Sequence, residues 1–229
     1  MEQLLAAAST YAGDIDGLIL LIAVLVAPWF LLSEFVLLYF VIRFRHQPGR
    51  RAEYITGEEK SQKRWITYPH LLVLVCDIFI IFGAVRVWVE VKQTLPPAHA
   101  TVRVMGQQWT WSFVHPGPDG KLDTPDDIAT VDELHVQLDK LYHFELSARD
   151  VLHSFSVPVF RLKQDAIPGR VINGWFEPTR TGTFDIQCAE ICGIGHGIMA
   201  GRIVVESPEQ HAAWMSGRAT TSVAALTPR

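Results

Sequence analysis

The segment Cys188-Ala-Glu190-Ile-Cys192-Gly-Ile-Gly-His196-Gly-Ile-Met199 places two thiols, an imidazole and a thioether close together in the chain. Soft sulfur donors with imidazole select copper over hard cations. Gly193 and Gly195 let the backbone curl, so that donors four and eight positions apart can reach one point. A second imidazole is available in Asp150-Val-Leu-His153-Ser-Phe-Ser-Val-Pro158, where His153 starts an alternating run. Two Cys, two His and one Met suffice for two copper ions, with bridging thiolates, one imidazole for each ion, and Met and a backbone carbonyl as weak outer ligands. Two simpler assignments compete. A disulfide between Cys188 and Cys192 is allowed in an oxidising compartment but leaves His196 and Met199 without a role. A structural zinc site calls for another Cys or His pair and has no use for a thioether.

Such a cluster needs a rigid mount, and the rest of the chain divides into a membrane part and a domain able to supply one. Of the 229 residues, 49% are hydrophobic. This is too apolar for an ordinary soluble domain and too polar for a chain made only of membrane spans. Apolar runs cover residues 18–42, interrupted by Ser33 and Glu34, and residues 68–91, which include Cys76, Asp77 and Arg86. A helix of about 20 residues crosses the hydrocarbon core, so both runs are long enough. The first exceeds the core of a secretory signal and has no Lys or Arg before it, so it reads as a retained span. The loop 43–67 carries Arg43, Arg45, Arg50, Arg51, Lys60, Lys63 and Arg64, whereas residues 1–17 carry no base. Basic short loops stay cytoplasmic. The expected arrangement is a transmembrane hairpin over 18–91, with the N-terminal segment 1–17 and everything after Val91 on the periplasmic side. Intramembrane acids are functional candidates by default; for Glu34 and Asp77 the alternative is a polar seam against another subunit.

Leu95-Pro96-Pro97 ends the second helix. Beyond it, short runs alternate apolar and polar residues: Thr101 to Met105, His135 to Leu138, Tyr142 to Leu146, His153 to Val157, Phe184 to Cys188 and Arg202 to Val205. Gly, Pro, Asp and Asn separate them, which predicts an all-β sandwich or barrel over residues 92–206. The tail 207–229 reads as a short helix or an unpatterned segment. Trp109 and Trp111 have the spacing of two core residues on one strand face. Residues 115–128 form an acidic, turn-rich insertion whose spacing is not that of a calcium loop. A net charge of −4 excludes a chain built to hold nucleic acid. Three cysteines give no disulfide framework, and the absence of a Cys-x-x-Cys-His motif excludes covalent haem c within this sequence.

Four motifs together carry a resemblance: Gly106-Gln-Gln-Trp109-Thr-Trp111-Ser, Asp150-Val-Leu-His153-Ser-Phe, Leu162-Lys-Gln-Asp165-Ala-Ile-Pro168-Gly-Arg170, and Cys188 to Met199. The chain resembles cytochrome c oxidase subunit II over nearly its whole length, and the cluster resembles that family's CuA centre. The resemblance implies a cupredoxin-like fold for the β domain. It implies copper ligation by His153, Cys188, Cys192, His196, Met199 and the main-chain carbonyl of Glu190. It also implies that the Glu190 side chain helps hold magnesium against subunit I, and that Trp109 receives the electron from the donor. The implied partners are oxidase subunit I, the other oxidase subunits, cytochrome c and the membrane; the implied location is a bacterial inner membrane. The implied function is electron relay from cytochrome c through binuclear copper to haem a of subunit I, where oxygen is reduced and protons are pumped. Two alternatives share the cluster: the copper subunit of a nitric oxide reductase, and a membrane-tethered copper-binding protein. The pattern departs from the family at two positions. Gln62 stands where many members carry a Glu at the mouth of a proton path, so the resemblance does not extend a proton-entry role to it. Gln107 replaces the usual His before Gln-Trp.

Overall fold

The computed structural model describes residues 6–51 and 54–218. Residues 1–5 of the N-terminal segment and 219–229 of the tail lie outside the described residues. The chain divides into two units. One is Asp14–Glu90; the other joins the described residues of Met1–Gly13 to those of Val91–Arg229.

The first unit is helical. Helix α1 is Ala12–Arg43 and helix α2 is Lys60–Trp88, which continues as a π-helical turn, Val89–Gln93. Both helices start before the apolar runs do, because their first turns are polar and carry no apolar pattern. Both are long and apolar enough to cross a membrane, and their apolar windows are not buried within the chain. Phe35, Leu38, Ile78 and Phe82 all stand exposed. Exposed apolar side chains along an entire helix suit hydrocarbon, not water. The two helices meet where Gly83 faces Leu18 and Leu21: a Cβ at Gly83 would come within 3.2 Å of Leu21. Gln62 accepts a hydrogen bond from the Gly57 backbone N–H at 2.9 Å, closing a turn between the spans.

The second unit is a sandwich of two five-stranded sheets. Its strands are β1 Ala100–Gln107, β2 Thr110–His115, β3 Ile128–Val131, β4 Glu133–Gln137, β5 Tyr142–Ala148, β6 His153–Val157, β7 Leu162–Ala166, β8 Ile172–Phe176, β9 Gly182–Cys188 and β10 Ala200–Glu206. One sheet has the order β3-β2-β1-β5-β8 and the other β4-β10-β9-β6-β7. Phe155 of the second sheet meets Trp111, Phe113 and Phe144 of the first, with ring centroids 5.5–6.3 Å apart. These rings are fully or almost fully buried and form the centre of the core. After β10, helix α3, Pro208–Arg218, turns Trp214 against His135 and His115 at 4.3 and 4.9 Å.

The N-terminal residues belong to this unit as well. Ala8 N–H donates to Val159, Thr10 N–H to Glu177, and Ser9 Oγ to the carbonyl of Phe160. Tyr11 is buried, its ring edge-on to Trp175 at 5.0 Å. A short strap therefore runs along the domain before α1 begins.

Candidate metal centre

The cluster lies in the connection between β9 and β10. These strands pair antiparallel, Gln187 opposite Ala200, and the Cys188 N–H donates to the Met199 carbonyl at 3.2 Å. This closes the neck of an eleven-residue loop, 189–199, with a thiol and a thioether at its two ends. A 3-10 turn over His196–Ile198 directs the second imidazole inward. Strand β6 runs beside β9, with Phe155 opposite Cys188, so His153 reaches the same place from the neighbouring strand.

The donor atoms form two halves around a sulfur pair. The Cys188 and Cys192 sulfurs lie 3.8 Å apart. Cys188 Sγ has His153 Nδ1 at 3.9 Å and the Glu190 carbonyl at 3.2 Å. Cys192 Sγ has His196 Nδ1 and Met199 Sδ, each at 3.7 Å. The ligand atoms of His153, Cys188 and Cys192 all lie within 4.8 Å of one another. All six predicted donors are therefore brought together. Glu190 contributes its carbonyl here, while its residue is exposed.

His153 is fully buried and held by Asp150, whose Oδ1 lies 2.9 Å from Nε2. A carboxylate on Nε2 fixes the tautomer that leaves Nδ1 as the free donor toward the sulfurs. The same carboxylate accepts from the backbone N–H groups of Gln108 and Val151. Burial alone would raise the Asp150 carboxyl, but these N–H groups and His153 outweigh it and hold it below the usual carboxylate range. Burial, reinforced by the neighbouring Cys188, pushes the Cys192 thiol above its ordinary value. Taking a metal at this pair must therefore release protons.

Trp109 and Trp111 separate, contrary to the expectation of one shared face. Residues 108 and 109 form the β1–β2 turn, so Trp109 leaves the strand and is 37% exposed, while Trp111 is fully buried. The Gln108–Trp109 peptide bond is cis. The indole of Trp109 lies against the backbone of the 189–199 loop. A Cβ on Gly195 would overlap the ring, and one on Gly193 would meet it at 3.3 Å. Gly106 makes room for the ring of His153 in the same way, at 3.1 Å. Gln108 and Asp150 sit inside the quoted motifs, yet the residue pattern alone assigns them no part. Gln108 reaches partners 84 and 42 positions away, which no local spacing reveals, whereas Asp150 lies only three residues from His153 and its spacing could have signalled the pair.

The acidic insertion turns its carboxylates onto itself. Asp119 accepts from Lys121 N–H, Asp126 from Asp119 N–H and Thr124 Oγ1, and Asp127 from Asp123 N–H. Arg103 binds Asp123 with two hydrogen bonds, at 2.8 and 3.0 Å, and also binds Glu145. The hydrogen bonds and charge of Arg103 hold the Asp123 carboxyl below its ordinary value. The insertion is thus a self-capped turn pinned to the sheet.

Comparison with known proteins places these features in one family. Residues 119–208 match the family model "Cytochrome C oxidase subunit II, periplasmic domain". The alternative cytochrome c oxidase subunit 2 of Bradyrhizobium diazoefficiens is 35% identical over 204 residues, covering 80% of this chain and 72% of the relative. Cytochrome c oxidase subunit 2 of Cereibacter sphaeroides is 28% identical over 234 residues, covering 88% and 74%. The crystal structure of the periplasmic domain of subunit II of cytochrome oxidase from Bradyrhizobium japonicum is similar at 33% identity and a TM-score of 0.49, covering 55% of this chain and 96% of that one. On the extent and identity of these matches, the chain belongs to the cytochrome c oxidase subunit II family and is a subunit of a haem-copper oxidoreductase.

Proposed function

We propose that the chain accepts electrons from a cytochrome c at Trp109 and delivers them to the haem a of oxidase subunit I, where oxygen is reduced to water with proton pumping. The observation that carries this reading is the paired donor set. Two sulfurs stand 3.8 Å apart, and each has its own imidazole and its own weak donor. A single ion has no use for two complete half-sites, so the set fits a binuclear copper centre held by His153, Cys188, Cys192, His196, Met199 and the Glu190 carbonyl. Bound there, a copper pair supplies a one-electron store that cycles between two oxidation levels. The chain's own residues keep that site rigid and dry. Cys188, Cys192, Met199 and His153 are buried, and the strands on either side fix where the loop begins and ends. Little needs to move when charge changes there. The exposed Glu190 side chain is left to complete a magnesium site with subunit I.

The location follows from the same features. The strap at residues 8–11 is bonded to the β domain, which supports an N-terminal segment on the same side of the membrane as that domain. With the basic loop 43–67 cytoplasmic, the domain is periplasmic and the membrane is the bacterial inner membrane. Glu34 and Asp77 are exposed on their helices and suit a polar seam against other oxidase subunits. The relatives are oxidase subunits, which favours this reading over a nitric oxide reductase subunit or a free-standing tethered copper protein. Metal analysis of the purified full-length chain tests the donor set. The expected content is about two copper atoms per chain, falling to one or none in Cys192→Ser. One copper in the unsubstituted chain, or zinc in its place, contradicts the reading.

A further inference from the structure

Trp109 has a floor but no walls. Its indole rests on the glycine backbone at 193 and 195, and its outer side is open to solvent. Contact of this kind is non-directional, so the ring must be aimed by its neighbours in the turn. Downstream, Asp132 accepts from Thr110 Oγ1 and from the Trp111 N–H, at 2.9 and 2.8 Å. These bonds tie the turn to the β3–β4 connection, not to the cluster. Upstream, Gln108 makes two bonds, and both lead to candidate ligands. Its backbone N–H donates to Asp150, which holds His153. Its side-chain amide donates to the carbonyl of Cys192 at 2.7 Å.

We infer that Gln108 is the positioning residue that seats Trp109 on the 189–199 loop and fixes its distance from the copper ligands. The inference rests on the proposed role of Trp109 in electron entry. The chemistry of the contact selects the residue. A backbone carbonyl can only accept, so the group facing it must be a donor with the reach of a Gln amide. The approach also requires Gly193, whose φ is +120°: a Cβ there would stand 2.9 Å from the Gln108 amide nitrogen. The bond supplies a short link from the residue before Trp109 to Cys192 itself. Glutamate at position 108 keeps the shape but sets an acceptor against an acceptor. Lysine keeps a donor at similar reach.

The test uses the intact oxidase with 5-fluorotryptophan in this chain, the Trp109 fluorine resonance being assigned by its loss in Trp109→Phe. Gln108→Glu is expected to shift or broaden that resonance. Electron entry from reduced cytochrome c, normalised to bound copper, should fall about tenfold with little change in KM, as for loss of one directional hydrogen bond. Gln108→Lys should restore both. A Trp109 resonance identical in Gln108→Glu and the parent overturns the inference. The Trp109→Phe sample separates the two claims: undiminished electron entry there defeats the proposed role of Trp109, while the seating by Gln108 still stands or falls on the resonance.

Discussion

His115 shows how a single buried group sets the pH response of the domain. Its Nδ1 donates to the Ile128 carbonyl, and its Nε2 accepts from the His135 backbone N–H. Only the second bond needs the neutral ring; the Ile128 carbonyl favours the charged form, and burial outweighs it. Burial is the main cause that drives its pKa down to about 3. In the unfolded chain the ring titrates near 6.5, so between those values the unfolded state binds a proton that the folded state refuses. The stabilisation is therefore complete above pH 6.5 and drains away as pH falls toward 3, by about 1.4 kcal/mol per unit. Thermal unfolding at pH 7.5 and 5.0 checks this. The parent should lose about 2 kcal/mol more than His115→Asn over that interval, and equal losses contradict the assignment. At this scale the contrast between legible and hidden residues is physical. The loop donors were legible because they are close in sequence and chemically distinctive, and His153 because its motif is. His115 read only as the edge of an acidic insertion, since burial depends on the α3 and β4 residues around it. Gln108 was hidden because its hydrogen bonds span long stretches of chain; Asp150 stands three residues from His153, but an acid at that spacing is too common to single out.

The announced runs all became strands, though β4 and β6 do not alternate in burial. β5 buries every second residue, and β9 does so from Phe184 to Cys188; both were expected. β6 was expected too, although it is buried throughout, and β2, buried over Trp111–His115, was announced only by the Trp109–Trp111 spacing. β3 has four residues at a sheet edge, and β7 and β8 carry only partial burial, too little for a pattern. The N-terminal strap was read as a plain periplasmic segment, because its few apolar residues have no repeat. Its part in the fold comes from the groove it meets. Tyr11 is the largest buried side chain in it, and burial raises its hydroxyl pKa. Tyr11→Ala should lower the stability of the β unit by about 3 kcal/mol, the usual scale for removing a buried aromatic ring. The thermal midpoint of the near-ultraviolet circular dichroism of the full-length chain is the check; an unmoved midpoint contradicts the role given to the strap. Fragments that begin at Lys92 lack this strap and leave Trp175 without its partner.

For the whole molecule, the membrane hairpin and the β domain are two units with separate tasks. In the proposed relay the domain carries the donor set and the spans anchor it in the membrane. The surface charge is modest for this task. The net charge is −4, and the insertion's carboxylates are bound by their own loop and by Arg103. Long-range steering of a basic donor is correspondingly weak, so the proposed entry at Trp109 relies on close contact. The proposed relay stands on the pairing of two half-sites around the Cys188 and Cys192 sulfurs. Electron paramagnetic resonance of the copper-loaded full-length chain, in the mixed-valence level with one Cu(II) equivalent per pair, tests that pairing directly. One unpaired electron shared equally over two copper nuclei is expected. A spectrum from a single copper nucleus would contradict it.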